Sequence, residues 1–390
     1  MDDAKFNDLI RKIRQIGKEI IEPNAKDVDK KARFPYESID ALKKLKLLSA
    51  YVPVTDGGMG LNVIQIAKIC EVLGHYCGST AMIYSMHKIQ VACVVNHCEN
   101  SSFFKSYIQK LVTEQRVMAS ATTEIGISGD LRSSICAVEE DGITFDLVKK
   151  APVISYGADA DDLMLTARRT PDAAKSDQVH VLVTKDQYKL EQISKWDSLG
   201  FRGTCSSGFV VNIKEAPTEQ ILPVPFANIL SQSMHPFAHI TWSALWSGIS
   251  ADAVNKARLY VRNEAKKALE HPPISAIRLG EVDNMLQLMR SNIESLAKEY
   301  QKMLEVNDEN AFSNFGFGIR VNNLKVSSSQ QMVDIVGRAM LICGIQSYLN
   351  ESKFTLTRHI RDAYGAGLMV NNDRILQHNS TLLIMHKEEK

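Results

Sequence analysis

The chain has 390 residues, 45% of them apolar and 23% charged, with 46 Lys and Arg against 45 Asp and Glu. That length exceeds a single hydrophobic core and implies two or three domains or one large composite fold, and the even charge balance excludes a nucleic-acid or membrane-surface binder driven by bulk charge. The longest apolar runs, such as Ile89 to Val95, are too short to cross a bilayer, and the start Met-Asp-Asp-Ala-Lys-Phe lacks the parts of a secretory signal, so the expected location is the cytoplasm without membrane insertion.

From Phe6 to Ile21 the apolar positions Leu9, Ile10, Ile13, Ile16, Ile20 and Ile21 recur at three- and four-residue steps, one stripe of an amphipathic helix. The same spacing predicts helices over Tyr36 to Leu45, Val63 to Leu73, Ser79 to His97 and Ser102 to Leu111. Residues 1–117 therefore read as a helical domain, interrupted by Pro53 and the turn Asp56-Gly57-Gly58-Met59-Gly60. Between 118 and 226 the pattern changes to short segments rich in Val, Ile, Phe and Thr, including Ile143 to Leu147, Leu163 to Thr166 and Val179 to Val183. Asp141-Gly142, Gly157-Ala158-Asp159 and Pro171-Asp172 punctuate them, as in a small β-domain. Helical periodicity returns over 227–390, through Trp242 to Ala268, Pro273 to Met303, Arg320 to Ala339 and Leu341 to Arg361. This predicts a bundle of four or five helices, with Pro272-Pro273 opening one of them.

The order of helices, then strands, then a bundle gives an α+β multidomain class and excludes a doubly wound sheet, which alternates strands and helices. Gly126-Ile127-Ser128-Gly129 is no dinucleotide fingerprint, because the third glycine and the βαβ setting are absent. The seven cysteines lack a Cys-x-x-Cys pair or a nearby His-x-x-x-His. They read as small buried residues, and neither a disulfide framework nor a metal site is expected.

Four motifs in order resemble the acyl-CoA dehydrogenase family over nearly the whole chain. They are Val52-Pro53-Val54-Thr55-Asp56-Gly57-Gly58-Met59-Gly60, Met118 to Asp130, Trp196 to Ser206 with its Leu199-Gly200-Phe201-Arg202-Gly203, and Arg361-Asp362-Ala363. The resemblance implies an N-terminal helical domain, a central β-domain, a C-terminal helical bundle and bound FAD. Small residues let a backbone approach a flat ring, and N–H and O–H groups satisfy its acceptors. On the matching positions the flavin contacts fall to Ser120, Thr122, Thr123, Gly129, Ile154 and Ser155, with Val153 standing where the family has a tryptophan. The family's Arg-x-x-Phe-Gly is altered at Arg262-Asn263-Glu264-Ala265, and its Gly-Gly-x-Gly is reduced to Gly344-Ile345-Gln346-Ser347.

Acyl thioester dehydrogenation needs a base for the α-proton. The resemblance places the family's glutamate at Val370 and its alternative position at Ala238, and neither side chain accepts a proton. His239, on the helix expected to wall the substrate, is the first candidate for catalysis and substrate contact, against a merely packed histidine. Asp373 is the second candidate, against a helix cap before Ile375-Leu376. His87 and Gly129 complete the expected substrate contacts, with a core histidine as the alternative for His87. The implied activity is an acyl thioester dehydrogenase working on coenzyme A or acyl-carrier-protein substrates and passing electrons to an acceptor. A flavin monooxygenase of the same fold is the alternative. The same resemblance implies a homodimer or homotetramer.

Overall fold

The computed structural model describes residues 1–127, 130–267, 273–306, 312 and 314–385. The first third is helical: α1 (Asp3–Ile16), α2 (Glu22–Lys31), α3 (Tyr36–Lys44), α4 (Val63–Tyr76), α5 (Gly78–His97) and α6 (Ser102–Glu114). Local chemistry sets the starts. Asp2 accepts the Lys5 amide at 2.9 Å, and Asn62 and Gln65 form a reciprocal capping box that opens α4. The predicted stripe is the buried face of α1, with Leu9, Ile10 and Ile13 inside.

Seven strands follow: β1 (Met118–Ala121), β2 (Glu139–Asp141), β3 (Thr144–Ala151), β4 (Asp162–Arg168), β5 (Gln178–Thr184), β6 (Tyr188–Ser194) and β7 (Gly208–Pro217). They form two sheets. One has the order β1-β4-β5, with β1 parallel to β4 and Ser120 opposite Met164; the other is antiparallel with the order β2-β3-β7-β6. Alternation along β3 turns Phe145, Leu147, Lys149 and Ala151 inward.

The remainder is the bundle: α7 (Phe226–Ile229), α8 (His235–Ala265), α9 (Ser275–Val306), α10 (Phe315–Cys343), α11 (Ile345–Tyr348), α12 (Thr357–Leu368) and α13 (Asn372–Met385). The helical, β and helical order read from the sequence is the order of the fold. One predicted helix, Leu341 to Arg361, is corrected. Gly344 takes φ +57°, which ends α10, and the chain makes the short α11 before α12 begins. Periodicity alone did not see that break because apolar residues continue across it. Pro272 lies outside the described residues.

Helix α8 is buried nearly all round over its first half and packs on both α4 and α10. Its contact with α4 depends on two glycines. A methyl group on Gly248 would run into the Glu71 carbonyl, and one on Gly74 into the Leu245 carbonyl. Two of the sequence motifs meet each other here. The Asp362 carboxylate accepts the Phe201 amide at 2.6 Å, Arg361 donates to the Leu199 carbonyl at 2.8 Å and grips Asp29 of α2, and a methyl on Gly200 would strike the Arg361 carbonyl. These motifs therefore tie the β-region to the start of α12. Among the described residues no helix is long and apolar enough to cross a membrane.

Candidate active site

The segment leaving β1 and the segment leaving β3 lie side by side. Thr123 Oγ1 donates to the Val153 carbonyl at 3.2 Å. Ser120 and Thr122 are half-buried, and their hydroxyls donate to no group among the described residues. Ile154 is buried and its amide donates to the Ser207 carbonyl at 2.8 Å. Ser155 joins a hydroxyl chain: Thr204 Oγ1 donates to the Phe201 carbonyl, Ser206 Oγ lies 2.8 Å from Thr204 Oγ1, and Ser155 Oγ lies 2.8 Å from Ser206 Oγ. Since the Thr204 proton is spent on a carbonyl, the protons of Ser206 and then Ser155 point down the chain. Ser155 Oγ is left with lone pairs to offer.

Glu124 fixes this segment from below. Its carboxylate accepts the Cys136 amide at 2.7 Å, the Ile135 amide at 3.0 Å and the Ser134 hydroxyl at 2.8 Å, which closes the loop from 124 to 136. Lys149, buried in β3, stands 3.5 Å from Glu124 and donates to the Thr166 carbonyl at 2.7 Å. Burial works against the Glu124 charge, but the Lys149 ammonium and the two amides outweigh it and hold the carboxyl below its usual range. Sequence reading missed this pair. The signal was present as a lysine at an inward position of an alternating strand.

A second wall comes from the bundle. Only a donor can face a carbonyl, so His239 Nδ1–H points at the Val321 carbonyl, 3.2 Å away on α10. Its Nε2 makes no hydrogen bond among the described residues and is not sealed by their atoms. The ring packs on His235, with centroids 4.4 Å apart, and on Trp242 at 5.9 Å. Burial, with the neighbouring His235, pushes its pKa well down, so the imidazole is neutral at pH 7. His235 in turn meets Asn322 Oδ1 at 2.8 Å.

Asp373 is exposed in the first turn of α13, and no hydrogen bond or ion pair joins it to His239 among the described residues. The cap role falls to its neighbour, because the Asp373 amide donates to Asn371 Oδ1 at 2.8 Å. Beside it Val370 takes φ +44°, a rare conformation for a β-branched residue. Its carbonyl accepts Lys325 Nζ at 2.8 Å, and the same amine donates to Asn372 Oδ1 at 2.7 Å. Lys325 has no carboxylate partner among the described residues, and burial pushes its pKa down to about 7.

His87 does not join the site as expected. Its Nε2–H donates to the Leu48 carbonyl at 2.7 Å and its Nδ1 accepts the Met118 amide at 3.1 Å. With both nitrogens spent on backbone it anchors β1 to α5, the core alternative. Gly129 lies outside the described residues. The structure thus joins the segment of Ser120, Thr122 and Thr123 to that of Ile154 and Ser155 through the Thr123–Val153 bond and brings His239 and His235 to the face of α10 that carries Lys325, with Asp373 bonded to neither group among the described residues.

The rim suits a flat heteroaromatic ring. Ser120 and Thr122 have hydroxyls without partners among the described residues, Ser155 offers lone pairs, and the same segments expose the apolar side chains of Val153 and Ile125. A flavin needs this combination of small polar groups and an apolar wall, and the residues present fit it.

Residues 4–115 match the family model described as acyl-CoA dehydrogenase, N-terminal domain. Cyclohex-1-ene-1-carbonyl-CoA dehydrogenase of Geobacter metallireducens is 24% identical over 355 residues, covering 90% of each chain. Among solved structures, butyryl-CoA dehydrogenase from Megasphaera elsdenii superposes with a TM-score of 0.82 at 19% identity, covering 98% of this chain and 99% of that one. Dibenzothiophene monooxygenase (TdsC) from Paenibacillus sp. A11-2 does so equally, with a TM-score of 0.82 at 18% identity over 99% and 98%.

Proposed function

We propose that this chain is a member of the acyl-CoA dehydrogenase family and an FAD-dependent oxidoreductase forming the α,β-double bond of an acyl thioester carried on coenzyme A or an acyl carrier protein. The N-terminal family match and a relative matched along 90% of the chain support this reading. Ser120, Thr122, Thr123 and Ser155 would hold the flavin, with buried Ile154 fixing the Ser155 backbone through its amide bond to the Ser207 carbonyl, and the flavin would supply the acceptor for the hydride leaving the β-carbon. The chain's own part is the α-proton. His239 Nε2 takes it, with the imidazole oriented by the Nδ1–H bond to Val321 and kept neutral by burial. Trp242 and His235 pack the ring from two sides and fix its orientation.

The observation that carries this reading is a neutral histidine with one fixed nitrogen and one that makes no hydrogen bond among the described residues. Anaerobic titration of the flavin-loaded protein with acyl thioesters tests it. Bleaching of the visible flavin band is expected. Product formed only with oxygen and a supplied flavin reductase would favour the monooxygenase reading instead. That second reading is supported by the apolar Val370 and by the likeness in fold to TdsC. Exposed Leu341, Ile345, Tyr348 and Leu368 on the bundle support a homo-oligomer.

A further inference from the structure

Far from His239, the helices α1, α4, α8 and α9 border an open cavity of about 190 Å³. Arg258, which borders it, lies on α8 about 28 Å along the axis from His239. The floor is apolar, from Val254 and Leu286, and the rim carries Arg14, Lys68, Glu71, Asn255, Arg258 and Arg290.

The charges on this rim do not balance. Lys68 at 2.5 Å and Arg290 at 2.7 Å share the single carboxylate of Glu71, while Arg258 pairs with Asp283 at 2.8 Å and Arg14 has no carboxylate partner among the described residues. Asp252, the next nearest acid, is spent on His359 at 2.7 Å and Lys256 at 3.1 Å. Four cations therefore meet two carboxylates, and a surplus of two positive charges surrounds a hollow. Glu71 keeps its charge: burial opposes it, but Lys68 and Arg290 hold its carboxyl below the usual range.

We propose that this cavity is a binding site for the phosphate group of a small organic phosphate monoester, whose dianion matches the surplus charge and whose ester group lies on the Val254 and Leu286 floor. Arginine forks suit tetrahedral oxyanions, and the Asn255 amide adds a neutral donor. Lys68, Arg290 and Arg258 are oriented by their pairs with Glu71 and Asp283 before the anion arrives.

Calorimetric titration of the full chain with phenyl phosphate at low ionic strength tests the proposal. One-to-one saturable binding is expected, weakened about tenfold or more by Arg14→Gln with Arg290→Gln and by about 0.3 M salt. Asp283→Asn, which frees Arg258, is expected to tighten it several-fold. Thermal melts check that both variants fold. No saturation up to about 10 mM, or unchanged affinity in the double variant, would overturn the proposal. So would a concentration-dependent oligomer that Arg290→Gln dissociates while phosphate fails to bind, since the face would then serve a protein partner.

Discussion

A histidine takes an α-proton only with one ring nitrogen bare, and His239 meets that condition because the Val321 carbonyl occupies Nδ1–H and no described residue bonds to Nε2. Replacing it by Asn keeps a donor for Val321 and removes the base. His239→Asn is expected to slow anaerobic flavin reduction by an acyl thioester about 10²- to 10⁴-fold, measured by stopped flow. Asp373→Ala, at an exposed helix start, is expected to stay within about twofold. The reverse pattern would remove His239 from the reaction. The other informative residue pair is Glu124 and Lys149. Lys149→Met leaves a buried carboxylate without its cation and is expected to lower unfolding free energy by about 3 kcal/mol in a urea titration. Adding Glu124→Gln is expected to restore only part of the loss, because it removes the unpaired buried charge while its single oxygen can accept from one of the Cys136 and Ile135 amides and not from the other. The Thr-Glu motif was readable in the sequence. The roles were not: threonine sits on the rim and glutamate staples the loop, a difference set by contacts distant along the chain.

At the scale of elements, two features control how the bundle meets the rest of the chain. Helix α4 approaches α8 so closely that Gly248 has the Glu71 carbonyl where a side chain would be. Gly248→Ala is expected to lose about 2 to 3 kcal/mol, read as a lower urea midpoint with unchanged slope. The loop between α12 and α13 shows the opposite case, a residue too large for its backbone. Val370 is held at φ +44° by Lys325 and by Asn372, which also bonds to Ser329 at 3.0 Å. Val370→Gly is expected to raise stability by about 1 kcal/mol, because glycine adopts this conformation without strain and Val370 is partly exposed. An unchanged or lower melting temperature would mean that the valine side chain contributes packing that outweighs the strain. Most helices were legible from apolar spacing. The break at Gly344 was not, because a single glycine in an apolar run also occurs inside helices, and only its positive φ distinguishes the two.

For the molecule as a whole, several histidines are buried without charge. Burial pushes His97, His235 and His359 down to about 4 and His180 down to about 3, from an ordinary 6.5. Below pH 6.5 the unfolded chain binds protons that the folded chain refuses, so stability falls as pH drops from 6.5 toward 4. The slope approaches about 1.4 kcal/mol per pH unit for each such group. Melting temperatures measured from pH 7.5 to 5 are expected to decline, and a flat profile would contradict the burial of these rings. His180 has neither nitrogen bonded and packs on Phe226 with centroids 5.3 Å apart, so His180→Phe is expected to raise the melting temperature and flatten the pH dependence. What the sequence by itself determined was the order of helical, β and helical regions, because apolar period and turn residues are local quantities. It also supplied the rim residues of the proposed flavin site, because Ser120 to Thr123 and Ile154-Ser155 are two short stretches carrying hydroxyl-bearing residues. Tertiary structure alone decided which titratable groups remain available. His87 is spent on two backbone groups, His239 keeps one nitrogen, and Lys325 is buried without an acid, because hydrogen-bond partners and desolvation come from segments that the linear sequence holds far apart.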